Sequence, residues 1–251
     1  MQANCNNYKF YNIMKTPYEY RAQAREALQN RWGEAAIVTA IIIALNLLIC
    51  IPSVFETIFE TICNKYDVST ANNGHWGTQL NTLFTIVLFP IECAVSIAFL
   101  GLVRGCKEEL LKKAYQHSIK LYARLLASGL LFIIIIVLVA IPTLGIGAII
   151  LGLAYSMFPY LIYDYPELTA LEALKMSRKM MHGYKWKLFV LYLSFIGWLF
   201  LCIVTLGIAA LFLDPYMQTA SAFFYEDLKA KTIIEENDEI KETEVTETET
   251  I

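Results

Sequence analysis

The chain has 251 residues, of which 57% are hydrophobic and only 17% are charged, with a formal net charge of −3. A soluble domain usually carries about 25% charged and about 45–50% apolar residues, so this chain departs from both averages in the same direction. The segments 125–141 and 188–213 hold no charge at all. Because runs of roughly 18 or more apolar residues are candidate membrane spans, the composition argues against a soluble globule, a nucleic-acid-binding protein and a secreted disulfide scaffold.

Six membrane spans are predicted, and the last four form two tight hairpins. Short turns containing glycine separate the third span from the fourth, at 142–145, and the fifth from the sixth, at 205–207. The fold class is therefore predicted to be an all-α membrane protein with six transmembrane helices in three hairpins. The spans cover about 35–54, 82–103, 125–141, 144–163, 188–204 and 206–225.

The lysines and arginines alternate along the chain as an even number of spans requires. The N-terminal segment carries five of them, the 104–124 segment six and the 164–187 segment five. The 55–81 loop carries one, and the two hairpin turns carry none. Since cytoplasmic loops are enriched in Lys and Arg, both termini are predicted to be cytoplasmic.

The segment 188–225 leaves a second topology open, because it is short for two spans and a turn. One long tilted span to Leu213, followed by an interfacial helix, would place the acidic tail on the opposite side of the membrane. The six-span arrangement is preferred because Lys187 and Lys229 then flank the last hairpin on the same face.

Each basic segment has the pattern of a surface helix that precedes its hairpin. Thr16-Pro17-Tyr18-Glu19 has the capping-box pattern that opens a helix. The apolar side of such a helix is expected to enter the headgroup boundary, while its basic side meets anionic lipid. The simpler alternative is that these helices only anchor the bundle. The candidate anionic-lipid contacts are Lys113, Lys120, Arg178, Lys179 and Lys185.

The unit of basic helix, span and span occurs three times, and its second and third copies share short sequences at an offset of 62. Thr143-Leu144-Gly145-Ile146 is repeated at 205–208, and Tyr163-Asp164 corresponds to Tyr225-Glu226. The repetition predicts three structurally similar units.

Polar groups inside apolar runs are the candidate intramembrane site. Glu92 follows Pro90 in the second span, and Asp214 lies in the sixth. A charge near the bilayer centre costs roughly 2.5–3.5 kcal/mol on insertion scales, so both acids are functional candidates. Asn46, in the first span, is predicted to form a hydrogen bond to a neighbouring helix. The alternative is structural: a protonated Glu92 bonded to another helix, and Asp214 marking the end of a span.

The rest of the sequence contains no catalytic motif and indicates where the domains begin and end. No phosphate-binding loop, dinucleotide fingerprint or metalloprotease motif is present, so no catalytic residue, cofactor or metal is predicted. The predicted organisation is a cytoplasmic segment at 1–16, a membrane domain at 17–228 and an acidic cytoplasmic tail at 229–251. The tail is expected to be disordered because it has many acids and no aromatic residue.

Several strings between 159 and 228 carry a family resemblance. They are Pro159-Tyr160, Asp164-Tyr165-Pro166-Glu167-Leu168, Glu172 to Gly183, Leu193-Ser194-Phe195-Ile196-Gly197-Trp198, Pro215-Tyr216-Met217-Gln218-Thr219-Ala220 and Phe224-Tyr225-Glu226-Asp227-Leu228. With the segment from Tyr20 to Gly33, the sequence resembles the bacterial integral membrane family catalogued as domain-of-unknown-function family 975. The resemblance covers most of 18–228. It implies a multi-pass protein of the bacterial inner membrane and brings no known activity.

Three functional hypotheses follow. The first is a non-enzymatic protein that organises or senses the bilayer, or supports a membrane protein partner, through its cytoplasmic helices. The second is a proton-coupled transporter of a small solute or lipophile that uses Glu92. The third is an intramembrane enzyme, against which stands the lack of a nucleophile-base or metal set in the sequence. Nucleic acid is not an expected partner.

Overall fold

The computed structural model describes residues 14–65, 76–105 and 110–249, with their side chains except at 64, 76, 110–120 and 234–249. Every regular element in those ranges is an α-helix. The helices are α1 (Pro17–Leu28), α2 (Trp32–Lys65), α3 (Trp76–Val103), α4 (Leu110–Ala140), α5 (Ile146–Tyr155), α6 (Phe158–Asp164), α7 (Ala170–Met180), α8 (Lys185–Leu193), α9 (Ile196–Val204) and α10 (Ala210–Glu249).

Five segments of the described chain are long and apolar enough to cross a membrane. Each coincides with one of the first five spans predicted from the sequence, and the coarse prediction of an all-α protein with membrane-length helices is confirmed. The fourth segment is made of α5 and α6, and the fifth of α8 and α9. The segments are Trp32–Cys63, Gly77–Val103, Leu121–Ala140, Ile146–Asp164 and Lys185–Val204.

These helices divide into inner and outer ones. In the most apolar part of each segment, 61% of the α3 residues and 44% of the α5–α6 residues are buried, against 22% in α2 and 17% in both α4 and α8–α9. The outer helices expose large apolar side chains such as Leu48, Leu138 and Ile203. An apolar surface of this extent fits contact with lipid tails rather than water.

Helix α10 is the third inner helix, and its burial explains why its composition is less apolar. It packs against α1, α2, α3, α7, α8 and α9. Leu213, Thr219, Ala220, Phe224 and Tyr225 are all buried. A helix enclosed by other helices has polar partners within the protein, so it does not need the uniformly apolar surface that lipid contact demands.

Helix α1 packs against the protein along α10. It runs antiparallel to α10: the ring of Tyr20 in α1 is 5.5 Å from that of Phe224, and the ring of Trp32, at the start of α2, is 6.3 Å from that of Phe212. Ala24 and Leu28 are fully buried between them. The apolar face predicted to enter the headgroup boundary is therefore covered by α10, because the bundle offers it a matching apolar surface.

The two hairpin turns that share a sequence also share a conformation. At 143–145 and 205–207 the leucines have φ angles of 50° and 52°, and the glycines after them 86° and 92°. In both turns the threonine hydroxyl accepts the backbone N–H four residues later at 3.1 Å, from Gly147 and Ala209. Positive φ is rare for leucine, so its occurrence at both places is a structural counterpart of the sequence repeat.

Helix α10 continues beyond the bundle to Glu249, where the sequence predicted a disordered tail from residue 229. The segment after Pro215 contains no glycine or proline and is rich in Glu. These residues favour helix, which allows the backbone helix to extend out of the bundle.

Candidate functional site

A cluster of charged side chains joins the C-terminal ends of α3 and α6 to the middle of α10. Arg104, directly after α3, donates from its two terminal nitrogens to the Asp164 carboxylate at 2.6 and 2.7 Å. Its Nε donates to Glu226 on α10 at 2.7 Å. Asp164, the last residue of α6, also accepts from the Tyr225 hydroxyl at 2.8 Å and from Lys229 at 2.6 Å. One guanidinium thus holds three helix segments together.

The cluster keeps Arg104 charged. Burial by itself would lower the pKa of the guanidinium, but hydrogen bonds and charges from Asp164 and Glu226 outweigh it and raise the pKa above its ordinary range. Charge-assisted, bidentate pairing is the strongest common form of this interaction. Arg104 was not among the site residues predicted from the sequence, although its two acidic partners lie in the repeated pairs Tyr163-Asp164 and Tyr225-Glu226.

A second contact ties α1 to the same end of the bundle. The Tyr20 hydroxyl donates to Asp227 at 3.0 Å, and the Lys15 ammonium group donates to the same carboxylate at 3.2 Å. Burial, and next the negative charge of Asp227, raise the pKa of the Tyr20 phenol, so it stays protonated and donates. A cavity of about 450 Å³ between α1, α3 and α10 has Lys15, Asp227 and Glu226 in its wall.

A polar cavity of about 290 Å³ lies deeper in the bundle. Asp214 lies twelve residues before Glu226 on α10, which places it about 18 Å along the helix from the charged cluster. Within the cavity wall, Ser96 on α3 donates to Gln218 on α10 at 2.9 Å. The cavity is lined by Ser96, Ser156, Pro159, Tyr160, Tyr192, Asp214, Met217, Gln218 and Ser221.

The three polar residues predicted from the sequence lie in one region. The Asn46 amide on α2 donates to the Glu92 carboxyl on α3 at 3.1 Å, and also to the Ile42 carbonyl at 3.1 Å. Asp214 lies close enough to Glu92 for the two charges to interact. Asp214 lines the polar cavity, whereas Glu92 does not. Sequence reasoning missed the serines and tyrosines of the cavity, since such residues are common in spans.

The three inner segments α3, α5–α6 and α10 approach one another at two levels, and the same spacing of eight residues separates the two levels in each segment. Ser96 lies eight residues before Arg104, Ser156 lies eight before Asp164, and Gln218 lies eight before Glu226. The first member of each pair lines the polar cavity and the second belongs to the charged cluster. The cavity and the cluster are therefore two levels of one arrangement, in which the three inner helices converge.

A separate cavity of about 500 Å³ opens beside α7. Lys175, Arg178, Lys179 and His182 lie three, one and three residues apart, which places them on one side of a helix. Two lysines lie near the Tyr184 ring, with Lys231 Nζ 4.9 Å and Lys187 Nζ 5.6 Å from the ring centre. The described lining contains no acidic residue. It consists of Lys175, Arg178, Lys179, Met180, His182, Tyr184 and Thr232.

The predicted lipid contacts fall in three places. Arg178 and Lys179 line this basic cavity, and Lys185 begins α8 without being among the lining residues. Lys113 and Lys120 belong to α4, but their side chains lie outside the described residues. The structure adds Lys175 and His182, which the helical spacing around Arg178 could have indicated.

The described part of the chain contains no group of three or more His, Cys, Asp or Glu placed to hold a metal ion. Its described cysteines are free, and Cys50, Cys93 and Cys202 lie in the membrane-length segments. Cysteine behaves there as a small apolar residue.

The fold and these sites define an all-helical protein with several membrane-length helices around a polar, charged axis. Residues 82–232 match the family model described as Protein of unknown function (DUF975), and the chain belongs to that family. This match confirms the resemblance found in the sequence. No curated protein and no solved structure matches the chain.

Proposed function

We propose that this chain is a six-span protein of the bacterial inner membrane with both termini in the cytoplasm. The sixth span is the first half of α10, from about residue 210 to residue 225. Its support is the direction of the helix: the bonds from Ser96 to Gln218 and from Arg104 to Glu226 make α10 parallel to α3. Two parallel helices that start at one membrane face end at the other, where the basic segments also lie.

Labelling of a cysteine introduced at Ile240 tests this threading. In a variant whose native cysteines are replaced by alanine, a thiol reagent that cannot cross membranes should label Ile240→Cys in inside-out vesicles and leave it unlabelled in intact cells. A matched cysteine at Val68, in the loop between the first two spans, should give the opposite pattern. Labelling of position 240 in intact cells would establish the five-span alternative.

We propose further that the protein binds anionic lipid phosphate groups at its cytoplasmic face and contributes to the organisation of the bilayer or of a membrane complex. The observation that supports this function is the basic cavity beside α7. Three cations and one histidine line it, and its described lining has no carboxylate. Two further lysines, Lys187 and Lys231, lie close to the ring of Tyr184, which is one of the residues that line the cavity.

The position of the cavity matches this ligand. The cavity lies between α7, the turn before α8 and the part of α10 that follows Lys229. This end of the bundle carries the basic segments. A lipid headgroup reaches such a site from the membrane surface without the acyl chains leaving the bilayer. Each basic residue near an anionic surface contributes about 1 kcal/mol, so four or five of them supply a selective site.

The double variant Arg178→Gln with Lys179→Gln tests this function. Loss of two cations should weaken binding to phosphatidylglycerol by about 2 kcal/mol, or about 30-fold. The measurement is lipid binding by the detergent-purified protein, with phosphatidylcholine as the neutral comparison. Inorganic phosphate, titrated in parallel, separates headgroup binding from binding of free phosphate.

A charge-matched control is available at Arg25 on α1 and at Arg31, just after that helix. Arg25→Gln with Arg31→Gln removes two cations outside the cavity and should change the affinity for phosphatidylglycerol by no more than about twofold. Equal losses in both double variants would mean that binding reflects overall charge, and the basic cavity would then have no role of its own.

A further inference from the structure

The polar cavity has the construction of a ligand site within the membrane domain. Its wall combines segments of all three inner helices and Tyr192 of the outer helix α8. Two helix interruptions adjoin it: Ser156 follows the end of α5, and α8 ends at Leu193, one residue after Tyr192. Interrupted helices around a polar cavity at membrane depth are a general mark of solute sites.

The chemical groups of the wall are oxygen acceptors. Three serine hydroxyls, two phenols and the Gln218 amide surround the carboxyl group of Asp214, and the described lining has no lysine, arginine or histidine. The Ser221 hydroxyl donates to the Tyr192 oxygen at 3.3 Å. An anionic ligand has no counter-charge here, whereas a cation with N–H groups has several acceptors.

The carboxyl group of Asp214 also favours a cationic ligand. No ion pair within the described residues includes Asp214, although it lies among apolar helices. A charged group at this depth is stable only when it is paired or neutralised. A cationic ligand provides the missing charge.

The size of the cavity distinguishes between cations. Its volume of about 290 Å³ is several times the share of one water molecule, about 30 Å³. A bare metal ion draws its oxygen ligands to about 2.0–2.6 Å and would fill only a small part of this space. We propose that the cavity binds a small organic ammonium ion, with Asp214 as its counter-ion and the serine, glutamine and tyrosine oxygens as hydrogen-bond acceptors.

In this proposal the functional acid is Asp214, whereas the transporter hypothesis from the sequence used Glu92. The two residues are equivalent in the parallel helices α3 and α10, which keep an offset of 122 residues at Ser96 and Gln218. Glu92 is bonded to Asn46 on the outer side of α3, where it links two helices. The carboxyl group facing the cavity belongs to Asp214.

Calorimetric titration of the full chain in detergent tests the site, with ethylammonium chloride as the probe. The wild-type protein should bind ethylammonium, and Asp214→Asn should lower the affinity by at least about tenfold, since a charge-assisted pair is lost. Glu92→Gln is the matched control and should stay within about twofold. Tetramethylammonium, which has no N–H group, should bind more weakly than ethylammonium.

A second variant keeps the test independent of the folding of Asp214→Asn. Ser156→Leu fills the cavity and leaves the carboxyl group in place, and it should abolish ethylammonium binding while the protein stays monodisperse with unchanged helix content. The proposal is overturned if the wild type does not bind ethylammonium, if sodium binds in its place, or if Glu92→Gln loses affinity while Asp214→Asn does not.

Discussion

Replacing Arg104 by glutamine should lower the free energy of unfolding by about 3–5 kcal/mol, because it leaves buried carboxylates without their main partner. Asp164 has 5% of its side chain exposed and Glu226 has 12%. Lys229 can still reach Asp164 at 2.6 Å, but Glu226 loses a contact at 2.7 Å. Repulsion between the two acids adds to the loss.

Unfolding in mixed micelles with increasing denaturing detergent measures this effect, and Arg178→Gln is the matched control. Arg178 has the same charge but lies at the open basic cavity, so its loss should change the free energy of unfolding by no more than about 0.5 kcal/mol. Combining Arg104→Gln with Asp164→Asn and Glu226→Gln should recover part of the stability, since the isolated buried charges are then removed together. A change below about 1 kcal/mol for Arg104→Gln would show that the cluster does not hold the helices.

Leu28→Ala should lower the free energy of unfolding by about 2–5 kcal/mol, the usual cost of emptying a packed apolar position. Leu28 has no exposed surface in the structure and lies in the same core as Tyr216 and Phe224. If α1 only lay on the lipid surface, the same change would remove a few lipid contacts and cost far less. The variant therefore separates protein packing from lipid anchoring.

The control for Leu28 lies on the same helix. Tyr18 is 66% exposed, and Tyr18→Ala should alter the free energy of unfolding by about 0.5 kcal/mol or less. Both variants are compared by the same micelle titration, with helix content checked beforehand. Similar small effects at the two positions would mean that α1 does not belong to the folded core.

The sequence was sufficient to predict features that depend on local composition. The apolar runs predicted six spans, and five of them coincide with the five membrane-length helical segments of the structure, because the length of a span is set by the thickness of the bilayer. The strings Thr143-Leu144-Gly145 and Thr205-Leu206-Gly207 predicted similar turns, and the turns have the same φ angles. Thr16 caps α1 together with Glu19 three residues later, as the capping-box pattern predicted.

The sites could not be predicted to the same extent, since they are formed by residues far apart in the chain. Arg104 meets Asp164 and Glu226 at separations of 60 and 122 residues. Nothing in the local sequence around Arg104 distinguishes it from the other basic residues of its segment. The same is true of Ser96, which becomes part of a cavity only because α3 and α10 are neighbours.

The amino-acid sequence was enough to indicate the membrane-length apolar helices, the family, the repeated turns and the concentration of basic residues in three segments. These features follow from hydrophobicity, charge and short motifs, each of which acts within a few residues. Only the packed fold shows which helices are inner and outer, where the apolar face of α1 is buried, and which acid lines the polar cavity. Packing decides these points because the contacts of an enclosed helix such as α10 depend on all the helices around it, and hydropathy alone does not specify those neighbours.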